Sequence, residues 1–418
     1  MNFGNRRSMA SKVKLAYLVT HPIQYQAPLL RRIAADPGID LTVFFCSDFS
    51  LRGYQDPGFG KTIAWDVPLT GGYRHEILPA VGRTAPVSFW RPWNYGLAAR
   101  LRRGRFDVLW VHGYNRWFHW RAMAAAKLRG LKVLVRDEAT AISARRGLVK
   151  RLVKGWFFGG LGRVCDGFLA IGTLNARYYQ AYGIPPERIF SMPYAVDNDF
   201  FQEQARAAAT GRQTRRRDLG LEPGRPVILS ASKLSAVKGG LDLLEAYIQL
   251  SPDGVTEPHP YLVFIGDGDQ RPLLEARARS TRWNSIKILG FKNQRELPQY
   301  YDLCDVLVLP SRFEPWGLVV NEAMNAGRAV IVSDRVGCGP DLVHEGVNGY
   351  VFQTGDRAGL CQALEKVVGD PHRCRSLGAK SLEIIRHWGF DQDLAGLRQA
   401  LAYVMGAAAH EPSAHPKT

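Results

Sequence analysis

At 418 residues, with 46% hydrophobic and 22% charged side chains, the chain is long enough for about two or three domains with sizeable cores, which excludes a disordered or fibrous protein. No run of about 18 apolar residues occurs, so no membrane-spanning helix is expected, and MNFGNRRSMASKVK lacks the apolar segment of a signal peptide, so export is not expected either. The net charge of +17 is one-sided: residues 1–200 carry 29 Lys and Arg against 13 Asp and Glu, net +16, while residues 201–418 carry 26 against 25, net +1.

Strand-like and helix-like segments alternate along the chain. Residues 13–20 (VKLAYLVT), 41–47, 107–113, 132–138 and 166–172 read as buried strands in the first half. Residues 226–232, 261–269, 286–290, 305–310 (DVLVLP) and 329–334 do so in the second. Continuous apolar runs separated by helix-length segments are the pattern of parallel sheets covered on both faces. The expected fold is therefore α/β, two doubly wound Rossmann-like domains facing across a cleft. The polar stretch 202–226 has no strand pattern and places the boundary near residue 200, giving domains 1–200 and 201–405. Residues 390–405 read as a closing helix, expected to cross back to the first domain, and residues 1–11 and 406–418 read as flexible. Six scattered cysteines with no CxxC and no metal-like cluster read as reduced thiols of a cytoplasmic protein.

Ligands in open parallel sheets bind at the carboxyl ends of the strands. One such end carries SRFEPWGLVVNEAMNAG, residues 311–327. Pro315 and Gly317 favour a loop there, with a helix starting near Leu318 whose first amides, around Gly317 and Leu318, form an anion site. Glu322, one turn on, can face the same pocket, and a carboxylate suits a vicinal diol because two O–H donors meet two oxygens. Glu314 precedes it by eight residues. Another strand end carries KLSAVKGG, where Lys233 and Lys238 can converge on a diphosphate and stabilise its departure; alone they would read as ordinary solvated lysines. Anion site plus diol acceptors describes a nucleotide-sugar pocket.

These residues resemble the family 4 glycosyltransferases, which have the GT-B fold and usually retain anomeric configuration. The resemblance covers most of the chain and is densest from about 226 to 352. It is carried by EPWGLVVNEAM with AGRAVIVSD, KLSAVKGG, FIGDGDQRPLLE, YYDLCDVLVLPS and DLVHEGVNGYVF. It implies that Glu314 contacts the donor sugar, Glu322 the nucleotide ribose, and Lys233 and Lys238 the diphosphate. Lys233 stands where Arg is usual, which keeps the charge and loses the bidentate fork; Pro315-Trp316 replaces the commoner Gly-Phe. The resemblance implies a nucleotide-sugar donor, UDP being the commonest base, and no cofactor or metal. Retaining chemistry needs little acid-base machinery, because the leaving diphosphate can take the acceptor's proton.

The first half matches less specifically. His21, in a loop after the first strand, stands near donor phosphate and acceptor in family members, and reads equally as a loop histidine. His112 ends a strand where several relatives carry a histidine beside the reacting sugar. Asp137 and Glu138 end the next strand and can orient or deprotonate an acceptor hydroxyl, or cap a helix. GDGD at 266–269 lacks dinucleotide-loop spacing and reads as a turn beside the base.

The basic half should meet something anionic. Residues 145–163 mix Arg145, Arg146, Lys150, Arg151 and Lys154 with Leu, Val, Trp and Phe, and residues 90–105 (WRPWNYGLAARLRRGR) form a second such patch. Both fit docking on an anionic bilayer, and the first fits equally a helix packed on the sheet with a solvated basic face. A lipid-linked or saccharide acceptor in cell-surface polysaccharide or glycolipid synthesis follows, with the enzyme cytoplasmic and peripheral on the membrane. The alternatives are a nucleotide-sugar epimerase, a nucleic-acid-binding protein, which no nucleic-acid motif supports, and a protein that keeps the fold without the activity, against which the intact Glu314, Glu322 and Lys238 argue.

Overall fold

The computed structural model describes residues 12–56, 58–140, 142, 148–250, 260–281 and 283–406, with the backbone alone for 148–152. Its first sheet has seven parallel strands in the order Ile189–Ser191, Gly167–Ala170, Lys132–Arg136, Val108–His112, Val13–Val19, Ile39–Phe45 and Arg74–Ile77. The second has six parallel strands in the order Ile286–Ile288, Tyr261–Ile265, Val227–Ala231, Val306–Leu309, Ala329–Ser333 and Gly349–Phe352. The ten apolar runs read from the sequence all fall on these strands. Three further strands, Arg74–Ile77, Ile189–Ser191 and Gly349–Phe352, complete the sheet edges.

Each sheet is covered on both faces, and each face has its own apolar cluster. The charged stretch 202–226 is largely helical: Asn198–Ala209 and Arg212–Asp218 pack on the second domain, with Phe201 and Ala205 buried. The chain thus enters the second domain just ahead of Asn198. Phe390–Val404 is a helix that returns to the first domain, where Leu394, Leu397, Ala400 and Leu401 pack against Leu15, Tyr17 and Trp110 of the first sheet. Buried Arg136 ties it down, donating to Asp393 at 3.1 Å and to the carbonyls of Met192 and Pro193.

In both sheets the strand order reverses at an internal pair, Val13–Val19 beside Val108–His112 and Val227–Ala231 beside Val306–Leu309. The loops leaving those strands open the crevice in which ligands of doubly wound sheets bind. The two crevices face each other.

A small hairpin, Tyr54–Asp56 paired with Lys61–Ile63, extends from the first domain across the cleft. It meets the second domain repeatedly: Asp56 with Lys233 at 2.8 Å, Lys61 with Asp267 at 2.6 Å, the Ala64 carbonyl with Asn293 at 2.7 Å, and Phe59 edge-on to Phe291. Nothing in its sequence marks it as a bridge.

Candidate active site

Between the domains lies a cavity of about 380 Å³ whose walls include Lys233, Lys238, Glu314, Gly317 and Leu318 from the second domain and Tyr25, Asp56 and Glu138 from the first. A smaller lobe of about 110 Å³ adjoins it, bounded by Phe59, Trp65, Phe291 and Lys292, with the buried Gln294 at its edge, whose side-chain oxygen has no hydrogen-bond partner.

Lys238 and Glu314 come from loops after neighbouring strands, 76 residues apart, and form a close ion pair that is largely shielded from solvent. Local backbone fixes both. Lys238 ends a 3-10 turn, and Gly239 follows with φ +70°, packed so that a side chain there would strike the Pro310 carbonyl. The Glu314 amide donates to the Arg335 carbonyl at 3.0 Å, and its own carbonyl accepts from Gly337 at 2.9 Å. The helix Leu318–Asn325 begins where expected, with Gly317 in the left-handed region at its N-cap and its first turn bordering the cavity. Lys233 also reaches the cavity, but its partner there is Asp56 of the hairpin, and its ammonium lies over the Phe59 ring.

Glu322 is fully buried beneath this floor. Tyr301 donates to one of its oxygens, and the Tyr25 hydroxyl of the first domain lies beside the carboxyl. Burial raises its carboxyl to about 7, against the opposing hydroxyls of Tyr301 and Tyr25. A buried carboxyl reached only by tyrosine hydroxyls, one of them on the cavity wall, fits a hydroxyl-bearing ligand that takes the place of Tyr25.

The first-domain candidates divide. Glu138 faces the cavity and accepts from Tyr194 at 2.7 Å; enclosure raises its carboxyl, and the charges of Asp137 and Glu314 add to the rise. Asp137 turns the other way, accepting from Tyr179 inside the domain and from the Ala139 amide, and does not line the cavity. His112 stands behind Tyr194, hydrogen-bonded to Tyr17 at 3.1 Å and Tyr194 at 3.2 Å; burial, with the Arg136 charge behind it, lowers it to about 3, so its ring is neutral. It does not line the cavity; Tyr194, which donates to Glu138, stands between it and the cleft. His21 bonds its neighbour Thr20 and packs on Phe49, and burial lowers it to about 4; it too stands off the cavity wall.

GDGD is a turn, as read: Gly266 and Gly268 press on the Ser232 and Leu234 carbonyls, and Asp267 takes Lys61. Trp316, which replaces the usual Phe, stacks on Trp388 just ahead of the returning helix, with centroids 5.5 Å apart. The six cysteines are free and buried. Arg145 and Arg146 lie outside the described residues, and the side chains of Lys150 and Arg151 are likewise outside them. The other basic patch is visible: Phe89, Trp90, Trp93, Tyr95 and Trp117 are all exposed close to the helix Leu97–Gly104, and Arg121 lies over Trp93.

Two doubly wound domains facing across a cavity floored by a helix N-terminus and paired with lysines define a protein of the GT-B class. The model of glycosyl transferases group 1 matches residues 211–383 and that of Glycosyltransferase Family 4 matches residues 29–200. Between them they cover both domains, and the chain belongs to the family 4 glycosyltransferases. Among relatives, it is 30% identical over 190 residues to an alpha-D-kanosaminyltransferase of Streptomyces kanamyceticus, covering 45% of this chain and 47% of that one. It is 30% identical over 226 residues to a D-inositol 3-phosphate glycosyltransferase of Xylanimonas cellulosilytica, covering 53% and 52%. The matched region thus spans about half the length of these relatives. Two solved structures share the fold: a glycosyltransferase from Rickettsia africae (TM-score 0.69, 14% identity, 94% of this chain and 99% of that one) and Anabaena HepE in complex with UDP (TM-score 0.66, 18% identity, 95% and 100%).

Proposed function

We propose that this protein transfers a glycosyl group from a nucleotide-sugar donor to an acceptor hydroxyl with retention of configuration. The observation that carries the reading is the convergence of Lys233, Lys238, Glu314 and the helix start at Gly317 on one cavity between the domains. In this reading the two lysines and the first amides of the helix hold the diphosphate and stabilise it as it leaves. Glu314 takes hydroxyls of the donor sugar, and Glu322 takes the ribose diol once Tyr25 moves aside. Glu138, held by Tyr194, orients the acceptor, with His112 positioning Tyr194 from behind. The departing phosphate oxygen receives the acceptor's proton on the face it leaves, so the protein mainly positions and neutralises. A uridine nucleotide is the favoured donor carrier, on family membership and on the UDP and UDP-glucose named for the HepE structures.

The acceptor is proposed to be lipid-linked or a saccharide at an anionic membrane face, in cell-surface polysaccharide or glycolipid synthesis. The exposed aromatics of residues 89–95 and Trp117, set among arginines in the half carrying +16, support this. No helix among the described residues is long and apolar enough to cross a membrane, so contact there would be peripheral.

The test is a screen of nucleoside diphosphates and nucleotide sugars for thermal stabilisation, because a ligand that binds only the folded state raises its melting temperature. A UDP-sugar should give the largest shift. No shift with any nucleotide would overturn the reading.

A further inference from the structure

The hairpin places a carboxylate where the donor diphosphate belongs. Asp56 comes from the first domain, yet its Oδ1 sits 2.8 Å from the Lys233 ammonium, and its side chain is 13% exposed. The contact is closely built: Gly58, two residues on, packs so tightly against the lysine tip that a Cβ there would lie 2.5 Å from Nζ, and Phe59 covers the ammonium. Lys238, the other lysine of the cavity, holds Glu314. Each of these lysines therefore carries a carboxylate, one from within its own domain and one from across the cleft.

We infer that Asp56 is an internal counter-ion that the donor's diphosphate displaces from Lys233, so that donor binding releases the hairpin from that lysine. This inference rests on the donor reading above and adds a competitor to it. The physical case is one of like charge. A carboxylate that shares an ammonium with a diphosphate in a shielded cleft faces repulsion from a group of larger charge, and one of the two must leave. Asp56 can leave without being stranded. Its Oδ1 also accepts from the Gly58 amide at 2.7 Å and the Phe59 amide at 3.1 Å, so its charge keeps partners within the hairpin. Lys233, itself 38% exposed and lying over the Phe59 ring, would without Asp56 face the cleft with no carboxylate partner, which the latch avoids. The remaining hairpin contacts, Lys61 with Asp267 and Asn293 with the Ala64 carbonyl, keep the hairpin over the smaller lobe while Asp56 swings.

The test is isothermal titration of the full chain with UDP, ADP, GDP and inorganic pyrophosphate, comparing wild type with Asp56→Asn, Lys233→Met and the double variant. Asparagine keeps the acceptor for the two hairpin amides and removes the charge. Asp56→Asn should bind UDP and pyrophosphate about three- to tenfold more tightly, as expected for removal of one partly shielded ionic competitor. The gain should vanish when Lys233 is already Met. Unchanged or weaker binding by a folded Asp56→Asn protein, or a gain that persists without Lys233, would overturn the inference while leaving the donor reading intact. Failure of wild type and variants alike to bind any of the four would bring down the donor reading, and this inference with it. Melting temperatures of all variants in ligand-free buffer separate loss of fold from loss of binding.

Discussion

Lys238 donates a hydrogen bond to Glu314, so the residue assigned to the diphosphate and the residue assigned to the sugar hold each other in place across the cavity floor. The pair links the two strand ends that flank the switch point of the second sheet. Charge-assisted hydrogen bonds contribute about 1.5–3 kcal/mol. Lys238→Ala should lower glycosyl transfer roughly ten- to 150-fold while the melting temperature changes little. Wild-type kinetics in that variant would remove Lys238 from the site.

The two glutamates should separate by ligand. Glu322→Ala should weaken binding of free UDP as well as of the sugar nucleotide, because its assigned partner is the ribose. Glu314→Ala should leave UDP binding as strong or stronger and damage transfer, because its assigned partner is the sugar and its loss frees Lys238. Titration of both variants with UDP decides the matter; equal affinities would sink the assignment of Glu322.

Burial raises the Glu322 carboxyl from 4.5 to about 7. The folded state therefore holds a proton that the unfolded chain releases. This linkage favours folding below about pH 4.5 and is lost as pH rises through 7. Glu322→Gln carries no such dependence, so its melting temperature should exceed that of wild type at about pH 8, with the gap closing toward about pH 5. A gap that is the same at both ends would show that the carboxyl's ionisation is not its source.

Attachment to membranes should follow charge and aromatic anchors together. Basic side chains near an anionic leaflet contribute about 1 kcal/mol each, screened over roughly 8–10 Å at ordinary salt. The protein should sediment with phosphatidylserine-containing vesicles at low salt, be released as salt rises, and bind neutral vesicles much less. Trp90→Ser with Trp93→Ser, and separately Lys150 and Arg151 to Glu, should each weaken attachment and leave UDP affinity unchanged; Lys154 is left in place because its ammonium packs over the Tyr178 ring. Sedimentation indifferent to salt, lipid charge and both sets of substitutions would point to an acidic soluble acceptor for the basic half.

The sheets were legible because a strand buried on both faces is a nearly continuous apolar run, as in Val306–Leu309 and in Ala329–Ser333 up to its closing serine. Arg74–Ile77 is an edge strand, exposed at Arg74, Glu76 and Ile77, and its polar sequence hides it. In the site, Glu314, Lys238 and the helix start at Gly317 were legible because each is set by a short loop after a strand. Asp137 and Glu138 were not distinguishable, since neighbouring residues leaving a strand point to opposite sides and nothing local says which side is the cleft. The hairpin at 54–63 and Tyr25 over Glu322 escaped for another reason: they act across the domain gap, on partners 177 and nearly 300 positions away, where no periodicity reaches. Trp316 reads as a conservative aromatic change until Trp388 is seen stacked on it.

The returning helix Phe390–Val404 also sets an order of events during synthesis. Residues 13–191 supply the whole first sheet, but one of its faces is closed by Leu394, Leu397 and Leu401, which leave the ribosome only after the entire second domain. At about 5–20 residues per second, the roughly 200 intervening residues leave the part of that face not covered by Leu29, Leu30 and Ile33 open for about ten to 40 seconds. The nascent first domain is thus a natural client for a chaperone until the returning helix emerges.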